Sequence, residues 1–298
     1  VQPKSFLDRM PPFPGKSWFE PGNVVPVLRF SGTIGAVTPL RPGLTLSGVA
    51  GAIDKAFSMS GAKAVAIQIN SPGGSPVQST LIYRRIRALA DEKDIKVYVF
   101  AEDVAASGGY LLALAGDEIY ADTSSIVGSI GVISASFGFH EMINRLGIER
   151  RVYTAGGSKS TLDAFQPEKA EDVERIKAVQ RDVHAAFVGL VKQRRGAKIE
   201  AAGEELFTGE FWSGKKAHEL GLIDGLSDLR SKMREIYGSD VRLKMVQTKT
   251  GWFRRKPQVG VQLGASDLGA ALRALPGGLA DDLISSLEAR ALWSRYGL

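Results

Sequence analysis

Apolar positions in the first half of the chain fall into short continuous runs, and the stretches between them carry helical spacing. Val24–Phe30 (VVPVLRF), Ala62–Asn70 (AKAVAIQIN) and Lys96–Ala101 (KVYVFA) read as strands. Thr45–Met59 and Gln78–Ala90 read as helices, so the first strand, helix and second strand make a βαβ unit. The pattern of strand, turn and helix then repeats into a helix that begins at Ser107. Further strands are predicted at Glu118–Ala121, Ile126–Ser134 and Arg150–Thr154, with a short helix over Glu141–Leu146. Pro167 is a favoured first helical residue, and Glu168–Arg195 reads as one long helix dense in both charges. Gly209–Asp224 supplies a turn, a helix and a closing strand, and Arg242–Gln247 a last strand.

The pattern changes at Thr248. Trp252–Pro257 (WFRRKP) reads as a linker, a glycine-rich stretch follows, and Asp281–Tyr296 has helical spacing with Leu283, Ile284, Leu287, Leu292 and Trp293 on one face. The predicted organisation is an amino-terminal arm over 1–23, a folded domain over 24–247, and a linker with a helical tail over 248–298. No internal repeat is apparent.

Composition narrows the chemistry. With 298 residues and 44% hydrophobic content the chain can bury a substantial core. Its 34 glycines exceed the usual share of about 7%, and many sit beside serine or apolar residues, which suits tight strand-to-helix turns. The absence of cysteine excludes disulfides, thiol nucleophiles and cysteine metal sites. Neither zinc-ligand spacing nor a GxxxxGK[ST] phosphate loop occurs, so no metal, nucleotide or other cofactor is expected. The net charge of +6 would suit an anionic partner. Basic residues alternate with acids along the helices without aromatic interleaving, however, which argues against nucleic acid. Neither a signal peptide nor a run of about 18 apolar residues is visible, so a soluble or peripheral membrane protein is the expectation.

Three segments carry the candidate chemistry: Ser71-Pro72-Gly73-Gly74-Ser75, Ala106-Ser107-Gly108-Gly109-Tyr110 and Gly156-Gly157-Ser158-Lys159-Ser160. The first is a glycine turn after a strand, the second puts a serine at a helix start, and the third holds a lysine on a loop. A serine hydroxyl needs a positioned base to take its proton as it attacks. Lys159 is the candidate base and must be uncharged to serve, which requires removal from water. The amides of Gly74 and Gly108 are candidate oxyanion donors: one lies in a turn open to substrate, the other at a helix start where unpaired N–H groups favour negative charge. The three histidines compete with Lys159 on paper, but His140, His184 and His218 read as structural or solvent-exposed.

These segments, their order, and the later Gly209–Ala217 (GEFWSGKKA) and Glu219–Asp224 (ELGLID) stretches resemble the signal peptide peptidase A family of bacterial serine peptidases. The likeness spans about residues 24–246. It implies an α/β fold of the Clp/crotonase-like kind, built of repeated ββα units, here with a carboxy-terminal appendage. It also implies a Ser-Lys dyad of Ser107 and Lys159, with Ser129 orienting the amine and Ser124, Ser125 and Ser160 as lesser substitutes. The substrates implied are leftover signal peptides or other apolar extended peptides, docked by β-augmentation beside the glycine turn, with Leu111, Leu112 and Ile130 as candidate pocket residues. Serine and lysine can come from adjoining subunits in this family, so a homo-oligomer with shared sites is expected. Many members carry an amino-terminal membrane anchor; here a bacterial cytoplasmic or peripheral membrane location is the expectation. Trp252–Lys256 and the tail are candidates for membrane-surface contact. A non-catalytic scaffold, a crotonase-like acyl-CoA enzyme and a phage-type maturation protease are the competing readings.

Overall fold

The computed structural model describes residues 23–35, 43–156, 158–247 and 290–297. Its first half follows the apolar runs. β1 (Val24–Ser31), β2 (Val65–Ser71) and β3 (Val97–Ala106) alternate with α1 (Leu46–Phe57), α2 (Pro76–Lys93) and α3 (Gly108–Ala113). β4 (Glu118–Ala121), β5 (Ile126–Gly128) and α4 (His140–Arg145) precede the long α5 (Ala170–Arg195). Then come a 3-10 stretch (Gly196–Phe207), β6 (Phe211–Ser213), α6 (Gly214–Glu219), β7 (Gly225–Leu226), α7 (Leu229–Tyr237) and β8 (Arg242–Met245). Helix starts are marked chemically: the Thr45 hydroxyl accepts from the Gly48 amide, and Ser75 accepts from Gln78 ahead of Pro76.

The strands make one mixed sheet in the order β6-β5-β3-β2-β1-β8, with β4 also on β3 and β7 on β4. Every pairing is parallel except β5 with β6. Helices cover both faces, which explains apolar runs without a polar alternate. Along β1, β2 and β3 the residues Leu28, Phe30, Ile67, Ile69 and Val99 join the core beneath α1, α2 and α3. Their neighbours Val25, Val27, Ala66, Tyr98 and Phe100 pack on the opposite face with Met233 of α7.

Three expectations change. The strand over Ile126–Ser134 ends at Gly128, because Ser129 takes a left-handed backbone (φ 54°) that leaves the ladder. Arg150–Thr154 forms no strand and lies exposed, since no edge within the described chain pairs with it. Helix α5 starts at Ala170 with extended Lys169 before it, so Pro167 stands outside. The arm over 1–22 and residues 248–289, including Trp252–Lys256 and most of the predicted tail helix, lie outside the described residues. Among the described residues no helix is long and apolar enough to cross a membrane.

A buried ionic knot closes the second half onto the first. Asp224 accepts from Arg195 at 2.8 Å, Lys198 at 2.6 Å and the Ile119 amide at 2.8 Å. Arg195 is only 4% exposed and also donates to the Gly221 carbonyl. Burial pushes the Asp224 carboxyl up, but the hydrogen bonds from Arg195 and Lys198 outweigh it and hold the group below the usual carboxylate range. A depressed folded value contributes stability above the unfolded carboxylate's pKa of about 3.9, and that contribution is lost as pH falls through the folded value. Asp224→Asn strands the buried guanidinium, so a loss of about 3–5 kcal/mol is expected in denaturant unfolding at pH 7. The gap from the wild type should narrow below about pH 4.

Candidate active site

The carboxyl ends of β2, β3 and β5 lie side by side, the place where open α/β sheets bind ligands. Registers pair Ser71 with Ala105 and Ala106 with Gly128, so the segments after these strands emerge together. Ser107 follows β3 with φ 53° and ψ −121°, a conformation rare for a residue with a side chain. Such a strand-to-helix elbow costs about 1–3 kcal/mol and lifts the hydroxyl clear of the sheet. Its own amide is tied to the Gly128 carbonyl at 2.8 Å, and its carbonyl accepts from Leu111 at 3.0 Å. The backbone is held while the hydroxyl makes no hydrogen bond among the described residues.

Two amides flank the hydroxyl. The Gly74 turn is clamped by Ile34, whose amide donates to Gly73 and whose carbonyl accepts from Ser75, both at 2.8 Å. Gly74 has φ 137°, and a Cβ there would lie 2.1 Å from the Ile34 carbonyl oxygen, so only glycine fits. A Cβ on Gly108 would stand 3.4 Å from the Gly74 nitrogen and 2.5 Å from Ser79 Oγ, which places the two amides together. Gly108 is the first residue of α3, where no intrahelical acceptor exists. Neither amide has an acceptor among the described residues.

A cleft of about 970 Å³ opens in front of them. Ser107, Gly74 and Gly108 lie on its floor, α2 and α5 form walls, and Gly131–Ile133 and Leu292 complete it. Of the candidate pocket residues Leu111 lines it, whereas Leu112 and Ile130 are fully buried core. Ser129 is 5% exposed, two residues before Gly131, with its amide on the Glu210 carbonyl and its hydroxyl without a partner among the described residues. Ser125 is spent on the Ala101 and Glu102 carbonyls. His184 holds the Ile130 carbonyl at 3.3 Å, and His218 is exposed.

Lys159 is not brought to this cleft within one chain. It is exposed on the loop after Gly156, outside the cleft lining and without a hydrogen bond to Ser107. The loop itself is firmly tied, which the sequence pattern did not signal. Buried Asp172 accepts from the Leu162 amide at 3.2 Å and from Arg175 at 3.1 Å. Arg175 also reaches Thr161 Oγ1 at 3.0 Å, and Thr161 donates to the Ser158 carbonyl at 2.8 Å. Leu162 sits at φ 53° within this knot. Nor did the pattern signal that residues 290–297 return to the cleft. Among the described residues no cluster of His, Asp or Glu is placed to hold a metal ion.

Residues 90–238 match peptidase family S49. The chain is 55% identical over 276 residues, 92% of its length, to a Brucella abortus protein named as the Na(+)/H(+) antiporter NhaA, of which it covers 37%. It is 34% identical over 168 residues, 56% of its length, to the chloroplastic serine protease SPPA of Arabidopsis thaliana, of which it covers 24%. The chain thus spans well under half of each relative, and antiport belongs to the first protein's name alone. The matched residues 90–238 include Ser107, Ser129 and Lys159, and half the chain lies within them. The strained serine therefore sits in a serine peptidase domain, and the chain belongs to peptidase family S49.

Proposed function

We propose that this chain is a serine endopeptidase with a Ser-Lys dyad, cutting signal peptides or other apolar extended peptides through an acyl-enzyme. What carries the reading is Ser107 itself: a hydroxyl on a strained elbow with no hydrogen bond among the described residues, flanked by two amides that have no acceptor among them either. Ser107 Oγ attacks the substrate carbonyl carbon while its proton passes to Lys159 Nζ. The carbonyl oxygen, now an anion, takes hydrogen bonds from the Gly74 and Gly108 amides. As the tetrahedral species collapses, the C–N bond breaks and Lys159 returns the proton to the leaving amine. Water then enters by the same route, its proton going to Lys159 as its oxygen attacks the ester. Ser129 orients the amine. The tight turn from strand to helix, repeated after β2 and β3, supports a Clp/crotonase-like reading of the fold.

The lysine is supplied by a second copy of the chain in this proposal. Ten of the seventeen large apolar side chains exposed among the described residues fall between Val132 and Phe165, on the excursion that carries Lys159. Tyr153 is 91% exposed and Phe137 75%. So dense an apolar surface marks an interface. A neighbour covering it would also give the unpaired Arg150–Thr154 stretch a partner and desolvate the amine, as a lysine base requires. A crotonase-like CoA enzyme fits less well, because that chemistry needs a carboxylate and the cleft has neither Asp nor Glu among the described residues that line it.

Asp172 then positions Lys159 through the loop. Asp172→Ala is expected to lower kcat/KM about 10–10²-fold by misplacing the amine, while far-ultraviolet circular dichroism stays that of the wild type. Casein digestion and fluorophosphonate labelling, compared between the wild type and Ser107→Ala, test the proposed activity. Equal turnover in the two would end it.

A further inference from the structure

The reading of Ser107 as a peptidase nucleophile leaves open what the cleft selects, and residues 290–297 bear on that choice. Tyr296 is 7% exposed and meets Phe211 of β6 edge to face, with ring centroids 5.1 Å apart. Tyr296 also packs with Val104 and Ala106 of β3, and Trp293 joins them beside Ile126. Val104 and Ala106 end β3, which delivers Ser107, and Ile126 opens β5, which leads to Ser129. The segment is thus seated on the frame of the site, and this seat carries Leu292 and Arg295 into the cleft wall.

The charge of that wall is one-sided. Among the described residues lining the cleft only Arg84 and Arg295 carry a charge, and they come from α2 and from the 290–297 segment, far apart in sequence. Helix α2 has three arginines. Arg85 pairs with Asp54, and Arg87 pairs with Asp91 and Asp117. Arg84 faces the cleft with no ion pair or hydrogen bond among the described residues, and Arg295 likewise has neither. Two guanidinium groups over an apolar cleft without a carboxylate make a field that favours an anionic ligand group, and guanidinium matches the fork of a carboxylate.

We infer that Arg84 and Arg295 are specificity-determining residues that select apolar peptides presenting a carboxylate, either a free carboxyl terminus or an acidic side chain beside the apolar stretch. A peptide already released from a longer protein has a free carboxyl terminus, and the interior of an intact protein does not. If the terminus is what the pair reads, the cleft prefers peptides already cut free over the interior of intact proteins.

The test uses quenched fluorogenic peptides with one apolar core and three endings: free carboxylate, carboxamide, and carboxamide after a terminal Glu. The wild type is expected to cleave the free-acid peptide about tenfold better in kcat/KM than the plain carboxamide, a gap that shrinks in high salt. A Glu carboxamide that matches the free acid assigns the selection to any carboxylate, and one that matches the plain carboxamide assigns it to the terminus. In Arg84→Gln with Arg295→Gln the preference falls to about one, and Tyr296→Ala, which unseats the segment, moves it the same way. Binding of the same peptides to Ser107→Ala, read by fluorescence anisotropy, separates this inference from the peptidase reading. A tenfold preference in binding, abolished by the two Gln changes, supports the inference even if cleavage fails. Equal handling of acid and amide by the wild type, or a preference that survives both changes, overturns it.

Discussion

Ser107→Ala is expected to abolish covalent labelling by a fluorophosphonate and to lower kcat/KM for peptide cleavage by about 10⁴–10⁶-fold. The residual rate would come from the cleft and the two amides alone. Alanine keeps the backbone problem, because its Cβ also sits badly at φ 53°. Ser107→Gly removes both nucleophile and strain, so it should be as inactive yet more stable than wild type by about 1 kcal/mol. A higher melting temperature for the glycine variant than for the alanine variant checks that the elbow stores strain. If both variants hydrolyse peptides like the wild type, the nucleophile lies elsewhere.

Lys159→Met is expected to cost about 10²–10⁴-fold in kcat/KM, the range of a lost general base. The side chain is exposed within its chain, so the fold should survive. Lys159→Arg should not rescue, since a guanidinium holds its proton at any working pH and cannot act as a base. Turnover by the Met variant equal to that of the wild type would assign the base to another group.

The parts legible in the amino-acid pattern are those that local rules determine. Continuous apolar runs such as Lys96–Ala101 located the buried strands, and helical spacing over Gln78–Ala90 located α2, which begins two residues earlier at Pro76. The glycines at 74 and 108 marked the two turns because each position excludes a side chain, through a positive φ against Ile34 at 74 and a helix start packed against Ser79 of α2 at 108. What escaped depends on distant partners. Arg150–Thr154 reads as strand, yet pairing needs an edge that the described residues do not offer. The Asp172 knot joins α5 to a loop ten residues earlier through single hydrogen bonds, with no periodicity to betray it. Tyr296 meets Phe211 across 85 residues of sequence, so the tail read as an appendage rather than as part of the cleft. The separation of Lys159 from Ser107 is of the same kind: both motifs are readable, while in the proposed assembly the surface that would unite them lies between two copies of the chain.

Mixing inactive Ser107→Ala chains with inactive Lys159→Ala chains, under conditions where subunits exchange, tests that union most directly. If each site takes its serine from one copy and its lysine from the next, peptide cleavage should return to about a quarter of the wild-type level, the share of head-to-tail contacts that join two intact halves. A mixture that stays inactive, although native mass spectrometry shows that the two chains have exchanged, would contradict the shared site.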